Sequence, residues 1–354
     1  VEVMSDIKEF EFCGRPIGGS HPPFIVAEVG FNHNGDVALC RRMIQAAKEN
    51  GADAVKLQTF VADKLYTKRF IANDPADPEK KIPLYEFFKR SELKPSEYET
   101  LFDFARDLGI PLFSTPFDEG SLDMLVEFGM PAIKIASPDL THLGFVEHAA
   151  GKNIPMVLST GMGNLDEIAK AVDVVRKMGN DRIVLLHCVS SYPARHEEMN
   201  VRCLPELKTR FHLPVGLSDH TTDNLSAIVA TALGAVMIEK HFTLDRNLPG
   251  ADNAMSIEPQ ELKELKQATV NVGKILGDGI RKLQASEEPV KKTARRSLVA
   301  RRDIAPGTVL SADMFCVKRP GTGIPPEGLA DIIGKKAKSK ISAEQLIDWD
   351  MICL

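Results

Sequence analysis

"VGLSDHTTDNLSAIVATALGAVMIEKH" (215–241) decides the fold. It opens and closes on runs of one form. "VGLSDH" (215–220) and "VMIEKH" (236–241) are apolar for a few residues and then polar, with histidine last. Each is the right length for a strand buried on both faces. The segment between them reads as a helix, so the stretch is a parallel strand–helix–strand unit. The same run recurs upstream in "FIVAEV" (24–29), "AVKLQ" (54–58), "PLFST" (111–115), "AIKIA" (132–136), "PMVLST" (155–160) and "IVLLHC" (183–188). The intervening "DVALCRRMIQAAKENG" (36–51) and "NLDEIAKAVDVVRKMGN" (164–180) place apolar residues three and four apart. Both open on Asp or Asn and close on Gly or Gly-Asn, as helix capping expects.

Strand and helix alternating eight times predict an α/β fold, a (β/α)8 TIM-type barrel. A doubly wound open sheet is the alternative. No GxGxxG follows any strand, which removes the usual dinucleotide site. The spacing is regular except for residues 60–94, a long insertion predicted to sit over the barrel mouth.

At 354 residues the chain fits one large and one small domain. A hydrophobic content of 44% and a charged content of 26% are those of an ordinary globular protein. The net charge of -5 leaves no footprint for nucleic acid. Six scattered cysteines (Cys13, Cys40, Cys188, Cys203, Cys316, Cys353) form no CxxC pair, which argues against a disulfide framework or structural zinc. No run reaches the roughly 18 apolar residues that span a bilayer. "VEVMSDIKEFEF" (1–12) has no basic region followed by an apolar core, so no secretory leader is expected in it, and the expected location is cytoplasmic.

Active sites of such barrels lie at the C-terminal ends of the strands. Those ends carry Glu28, Lys56 and Gln58, Ser114 and Thr115, Lys134 and Ser137, Ser159 and Thr160, His187, Ser218 and His220, then Lys240 and His241. A purely structural barrel has no use for so many polar groups at one mouth. His220 and His241 end neighbouring strands about 4.8 Å apart, close enough to share a metal ion. Two His ligands without cysteine suit an open octahedral site, completed by water and substrate oxygens. The expected ion is manganese, with magnesium or cobalt as alternatives, and a metal-free acid–base pair is the competing reading. Lys56 and Lys134, among Thr115, Ser137, Ser159 and Ser218, make a pocket for phosphate and carboxylate. The competing role of such a lysine is a Schiff-base nucleophile. Glu28 is the candidate general acid–base. Near two lysines and a metal it is expected to be ionised at neutral pH. Its alternative role is to orient a lysine or a metal-bound water.

Nine stretches carry a resemblance: "AEVGFNHNGD" (27–36), "VKLQTF" (55–60), "FSTPFD" (113–118), "KIAS" (134–137), "LSTGM" (158–162), "LLHCVSSYP" (185–193), "GLSDHT" (216–221), "EKHFTLDRNLPGAD" (239–252) and "KRPGTG" (318–323). In this order they resemble the sialic acid synthase family, over a span from about residue 10 to the C-terminus. The resemblance implies condensation of phosphoenolpyruvate with an N-acylated amino-sugar such as N-acetylmannosamine. It also implies a barrel followed by a small antifreeze-like (SAF) domain, in a homodimer where each small domain covers the partner's barrel. Carried over motif by motif, phosphoenolpyruvate meets Lys56, Thr115, Lys134, Ser137, Ser159, Ser190 and Ser218. The sugar meets Glu28, Gln58, Asp139, Tyr192, Asp252 and the partner's Arg319.

Three positions depart from the family pattern. Many of its members read Gly-Glu after the serine of "KIGS", where this chain has Pro138 and Asp139. The Asn of "HCTNIYP" is Ser190 here. Legionaminic and pseudaminic acid synthases and spore-coat polysaccharide relatives share the same frame, so the reaction type is better defined than the sugar. A synthase acting on a sugar phosphate is a rival enzyme reading, although no arginine-rich phosphate site stands in the barrel motifs. A non-catalytic carbohydrate- or ice-binding role for the small domain is the rival of another class.

The expected boundaries are a catalytic barrel over 1–284, a polar linker over 285–292 ("QASEEPVKK" begins at 284) and the small domain over 293–354. The small domain has ~60 residues, which make only a marginal core. The basic "KKTARRSLVARR" (291–302) reads as solvated surface or dimer contact.

Overall fold

The computed structural model describes residues 9–19, 21–74 and 77–353. Eight parallel strands close into a barrel in sequential order. They are β1 (Phe24–Gly30), β2 (Ala54–Thr59), β3 (Leu112–Pro116), β4 (Ile133–Ile135), β5 (Met156–Ser159), β6 (Ile183–Cys188), β7 (Val215–Asp219) and β8 (Met237–His241). All eight lie where the apolar runs predict them. β8 pairs with β1, with Met237 opposite Phe24 and His241 opposite Glu28.

The outer layer is α1 (Val37–Glu49), α2 (Pro95–Leu108), α3 (Glu119–Glu127), α4 (Leu143–Ala150), α5 (Leu165–Lys177), α6 (Cys203–Phe211), α7 (Leu225–Ala232) and α8 (Pro259–Leu276). Capping is local chemistry. Asp36 accepts from the amides of Ala38 and Leu39 to start α1, and Asn164 accepts from those of Asp166 and Glu167 to start α5. An N-terminal hairpin, Phe10–Phe12 with Arg15–Ile17, sets Phe12 edge-on against Phe24 and Phe113, with centroids 5.1 and 6.0 Å away.

The insertion after β2 is folded. It holds helices Ala62–Leu65 and Leu84–Ser91 and an antiparallel pair, Ile71–Asp74 with Asp77–Pro83. Phe31, Phe60 and Phe87 form its own buried core, with Leu65, Ile82, Phe88 and Phe117 packed on it. Phe31, Phe60 and Phe117 immediately follow β1, β2 and β3, so this core is anchored at three strand ends.

The chain divides into two compact units, Val1–Gly277 and Asp278–Leu354. The segment expected as a linker is a 3-10 turn, Ala285–Glu287, running into the helix Glu288–Ala294. Pro289 sits in the first turn of that helix, where its missing N–H costs nothing. The second unit has its own core, which includes Leu298, Leu310, Phe315, Ile324 and Ile341. Its strands are short: Ser297–Ala300 pairs with Phe315–Lys318, and Lys336–Ala337 with Ile352–Cys353. Among the described residues no helix is long and apolar enough to cross a membrane.

Gly216 in β7 marks a tight approach in the barrel wall. A Cβ there would run into the carbonyl oxygen of Met237 and come within 2.8 Å of Leu186. Because a backbone oxygen on the neighbouring strand cannot swing aside, Gly216→Ala is expected to destabilise the barrel by about 1–3 kcal/mol. Urea unfolding measures this, and an unchanged midpoint would mean that β8 has room to shift.

Candidate active site

Along each strand, side chains alternate between the barrel interior and the helix layer. Glu28, Lys56, Gln58, Thr115, Lys134, Ser159, Cys188, Ser218, Glu239 and His241 turn inward. Together with Ser137, Asp139, Tyr192, His220 and Asp252 they line one cavity of about 470 Å³ at the C-terminal ends of the strands. His220, expected as the last residue of its strand, is the first beyond it. The pairing register explains who meets whom. Glu28 stands opposite Lys56 on one side and His241 on the other, and Ser218 stands between Cys188 and Glu239. The strand bulges between Glu28 and Gly30. Gly30 has φ +56° and lies against Gln58 and Glu28, so a side chain here would be both strained and crowded.

Four buried charges form the floor. Lys56 Nζ lies 2.8 Å from Glu28 Oε2 and 3.7 Å from Glu239 Oε2, and it donates to Thr115 Oγ1 at 2.9 Å. Lys134 Nζ donates to Ser159 Oγ at 2.6 Å and to the Ile135 carbonyl at 3.2 Å, and it faces Glu239 Oε1 at 4.0 Å. Ser218 Oγ donates to Glu239 Oε1 at 3.0 Å, and Gln58 donates to Glu28 Oε1 at 3.1 Å. Burial pulls Lys134 below the ordinary ammonium range, with Glu239 opposing. Burial raises Glu239, but Lys134, Lys56 and the Ser218 hydrogen bond act against it, and the group is held below the usual carboxylate range. Glu28 behaves otherwise: burial pushes it up to about 7, against the pull of Lys56 and with a further push from Glu239. The expectation that Glu28 is fully ionised at neutral pH is therefore corrected. It pairs with one lysine, and Glu239 competes for that lysine's charge.

The two imidazoles stand side by side, with ring centroids 5.5 Å apart and Tyr192 4.2 Å from His220. His220 Nδ1 donates to the Val189 carbonyl at 2.7 Å, which leaves the Nε2 lone pair turned toward the cavity, 3.3 Å from Ser218 Oγ. His241 Nδ1 is buried without a hydrogen-bond partner, 3.4 Å from Asp252 Oδ2. Burial lowers both histidines, His241 most of all. Neutral imidazoles with an oriented or orphaned nitrogen fit a divalent ion. Among the described residues no three His, Cys, Asp or Glu form a fuller cage, so such an ion would take its remaining ligands from water or substrate.

Beside Lys134, Ser137 Oγ accepts from the Gly161 amide at 3.1 Å and lies 3.1 Å from Cys188 Sγ. A Cβ at Gly161 would run into Ser190 Oγ, and this hydroxyl is buried without a partner. Ser190 Oγ thus lies on the same side of Gly161 as Ser137 Oγ and Cys188 Sγ, which line the cavity, although Ser190 is not itself among the lining residues. Asp139 lines the cavity, with Oδ2 buried and unpartnered, and burial raises its pKa. Asp252, which burial raises to about 6, is placed by two interlocked loops. Asn34 and Asn253 both donate to the Pro249 carbonyl, Thr243 donates to Asn253, and Asn32 donates to Ser256 and to the Phe242 carbonyl. "FNHNGD" thus serves mainly as the clamp on "NLPGAD".

Four of the polar strand-end residues face away from the mouth. Ser114 bonds Thr59, Thr160 donates to the Leu186 carbonyl, His187 donates to the Met199 carbonyl, and Lys240 pairs with Asp219 at 2.9 Å. Alternation puts them in the helix layer. The same period places Glu239 inside, two residues before His241. That signal was readable from the sequence, yet Glu239 was missing from the expected site, as was Cys188. Leu65, Tyr66 and Phe88 also line the cavity, and they come from the insertion. Arg319 is exposed on the second unit, just after the strand Phe315–Lys318.

Fold and mouth together define a (β/α)8 barrel with a charged cleft at the C-terminal ends of its strands. Residues 43–281 match the model of the NeuB family, and residues 295–352 match that of the SAF domain. The chain belongs to the NeuB family, the sialic acid synthases and their relatives, and carries a C-terminal SAF domain. It is 41% identical to the N,N'-diacetyllegionaminic acid synthase of Legionella pneumophila, over 96% of this chain and 97% of that protein. It is 33% identical to the human N-acetylneuraminate-9-phosphate synthase, over 97% of each. Among solved structures it resembles the N-acetylneuraminic acid (sialic acid) synthetase of Leptospira borgpetersenii. There the TM-score is 0.72 and the identity 36%, over 80% of this chain and 95% of that one.

Glu239 is the carboxylate that both lysines share. Glu239→Gln removes the charge at constant size and leaves two buried ammonium groups with one partner. The expected cost is about 3–5 kcal/mol, against about 1 kcal/mol for Ser218→Ala, which removes only a hydrogen bond. Denaturant titration at neutral pH measures both, and equal costs would show that charge balance is not what Glu239 supplies.

Proposed function

We propose that this protein condenses phosphoenolpyruvate with an N-acyl amino-sugar and releases phosphate by C–O cleavage. The observation that carries the proposal is the juxtaposition of two buried lysines and a ring of hydroxyls with two neutral histidines in one cavity. In outline, the nucleophilic carbon of phosphoenolpyruvate attacks the open-chain aldehyde. Water then adds to the adjacent carbon, and the tetrahedral intermediate expels phosphate.

Lys56 and Lys134 hold the anionic ends, with Thr115, Ser137, Ser159 and Ser218 donating, which lowers the entropic part of the barrier. Ser190, whose unpartnered hydroxyl sits beside Ser137 and Cys188 at Gly161, joins this set. Lys134 already donates in two hydrogen bonds and faces a carboxylate, an arrangement that suits anion binding better than attack on a carbonyl. Glu28, with a pKa near neutrality, is placed to hold or pass a proton at Oε2. Gln58, Asp139, Tyr192 and Asp252 orient the sugar. His220 and His241 would hold a divalent ion, manganese for preference with magnesium or cobalt as alternatives, which supplies Lewis-acid polarisation of the aldehyde oxygen when bound.

The greater identity to the N,N'-diacetyllegionaminic acid synthase, 41% against 33% for the human 9-phosphate synthase, favours a diacylated sugar over a phosphorylated one. N-acetylmannosamine is the second reading. Phosphoenolpyruvate is an intracellular metabolite, which places the reaction in the cytoplasm. The working assembly is a homodimer in which each SAF domain covers the partner's barrel.

The test is phosphate release from phosphoenolpyruvate with N-acetylmannosamine, its 6-phosphate and a diacetamido-trideoxyhexose. Release is expected to require a sugar, to stop on chelation and to return with manganese. No release with any sugar would overturn the reaction, and full activity after chelation would remove the metal from it. The trans assignment of Arg319 has its own test. Arg319→Ala and His241→Ala chains are each expected to be inactive, and co-expressed mixed dimers to regain part of the activity, because one of their two sites is intact. Mixed dimers that form but stay inactive would confine Arg319 to its own chain or to no site.

A further inference from the structure

The condensation leaves one wall of the cavity unexplained. On the side of the insertion the lining is Leu65, Tyr66 and Phe88, with Phe31 and Phe117 beside them. These rings are locked together. Tyr66 stacks on Phe88 with centroids 5.1 Å apart, and Phe88 meets Phe60 edge-on at 5.2 Å and Phe31 at 5.6 Å. Phe60 and Phe87 are buried beneath them. The wall is therefore a fixed aromatic surface with its own core, and it shares its cavity with Glu28 and Gln58. The lysines that line this cavity, Lys56 and Lys134, both sit in the floor and are already engaged by Glu28, Thr115, Ser159 and Glu239. A phosphate pressed against ring faces would lose its hydration, and Lys64 and Lys89 on the same two helices are already paired with Asp118 and Glu92. A methyl group would gain dispersion contacts and lose only unfavourable hydration.

We propose that Leu65, Tyr66 and Phe88 form the part of the sugar subsite that reads an apolar group, either the methyl of an N-acyl substituent or a deoxygenated terminal carbon. The same wall turns away a phosphorylated tail. The assignment rests on the condensation proposed above for the identity of the occupant, and on the cavity lining alone for the wall itself. These are specificity-determining residues, remote from the reacting atoms. They act on how the sugar is held and leave phosphoenolpyruvate untouched.

Two measurements on the full-length, magnesium-loaded protein test this. The first is saturation-transfer NMR with N-acetylmannosamine and with a 2,4-diacetamido-2,4,6-trideoxyhexose. The methyl protons are expected to take up the most saturation in the wild type and to lose most of it in Phe88→Ala and in Tyr66→Ala. Two separate variants guard against one of them failing to fold. The second is steady-state turnover. In both variants the KM for the diacetamido sugar is expected to rise roughly tenfold or more, the scale of an apolar group in a fitted pocket, with the KM for phosphoenolpyruvate unchanged. Phe88→Lys is expected to lower the KM for N-acetylmannosamine 6-phosphate. Methyl saturation that survives both alanine substitutions, or that is absent from the wild type, overturns the wall. So does a parallel rise in the KM for sugar and for phosphoenolpyruvate. Wall-dependent saturation without phosphate release from any sugar would instead refute the condensation and leave the wall standing.

Discussion

The pairing register of eight parallel strands is the constraint on which the rest of the molecule depends. Closing β8 on β1 sets Glu28 between Lys56 and His241. Pairing β7 with β8 sets Ser218 against Glu239. Because side chains alternate along a strand, a slip of one residue would turn Lys56 and Glu239 into the helix layer. It would bring Lys240 and Asp219 inside in their place. That second pair is satisfied where it is, at 2.9 Å and almost wholly buried. Two sets of buried charges, one on each side of the sheet, thus hold the same register, since each would lose its partners if the strands slid.

The inner set is a square of two lysines and two glutamates. Buried charges are tolerated only when paired, and the two carboxylates supply the lysines with partners inside the barrel. Fixed dipoles complete the arrangement. Thr115 and Ser159 accept from the lysines, Ser218 holds Glu239, and the Gly161 amide holds Ser137. Such preorganised groups stabilise charge without having to reorganise. The neighbouring histidines differ in kind. They are kept neutral, and His220 is oriented through its second nitrogen.

Loops of two designs complete the cavity. The loops after β1 and β8 are tied by asparagine side chains, with Gly250 at φ +132° against Asn34 and Asn253. Their product is the placement of Asp252. The insertion after β2 is held by aromatic packing and brings its own small core. Hydrogen bonds to backbone carbonyls fix a single carboxylate, whereas a packed aromatic cluster fixes a surface.

What the sequence by itself determined is the barrel, the inventory of charged groups and hydroxyls at its mouth, and the SAF-bearing family frame. Strand-length apolar runs and helix caps are local signals, and nine motifs in order are hard to mistake. Glu239 was legible too, two residues before His241 on the same face, although the strand ends invited the reading that every polar residue there points inward. What only the tertiary structure decided is the pairing. Glu28 competes for Lys56 with Glu239, more than two hundred residues away in sequence, Ser190 stands beside Ser137 and Cys188 at Gly161, and the insertion turns Tyr66 and Phe88 toward the same space as Gln58. Such relations depend on barrel closure and on register between strands far apart in the chain. A pattern of period two or 3.6 carries the face a residue occupies, and says nothing of which distant residue it will meet there.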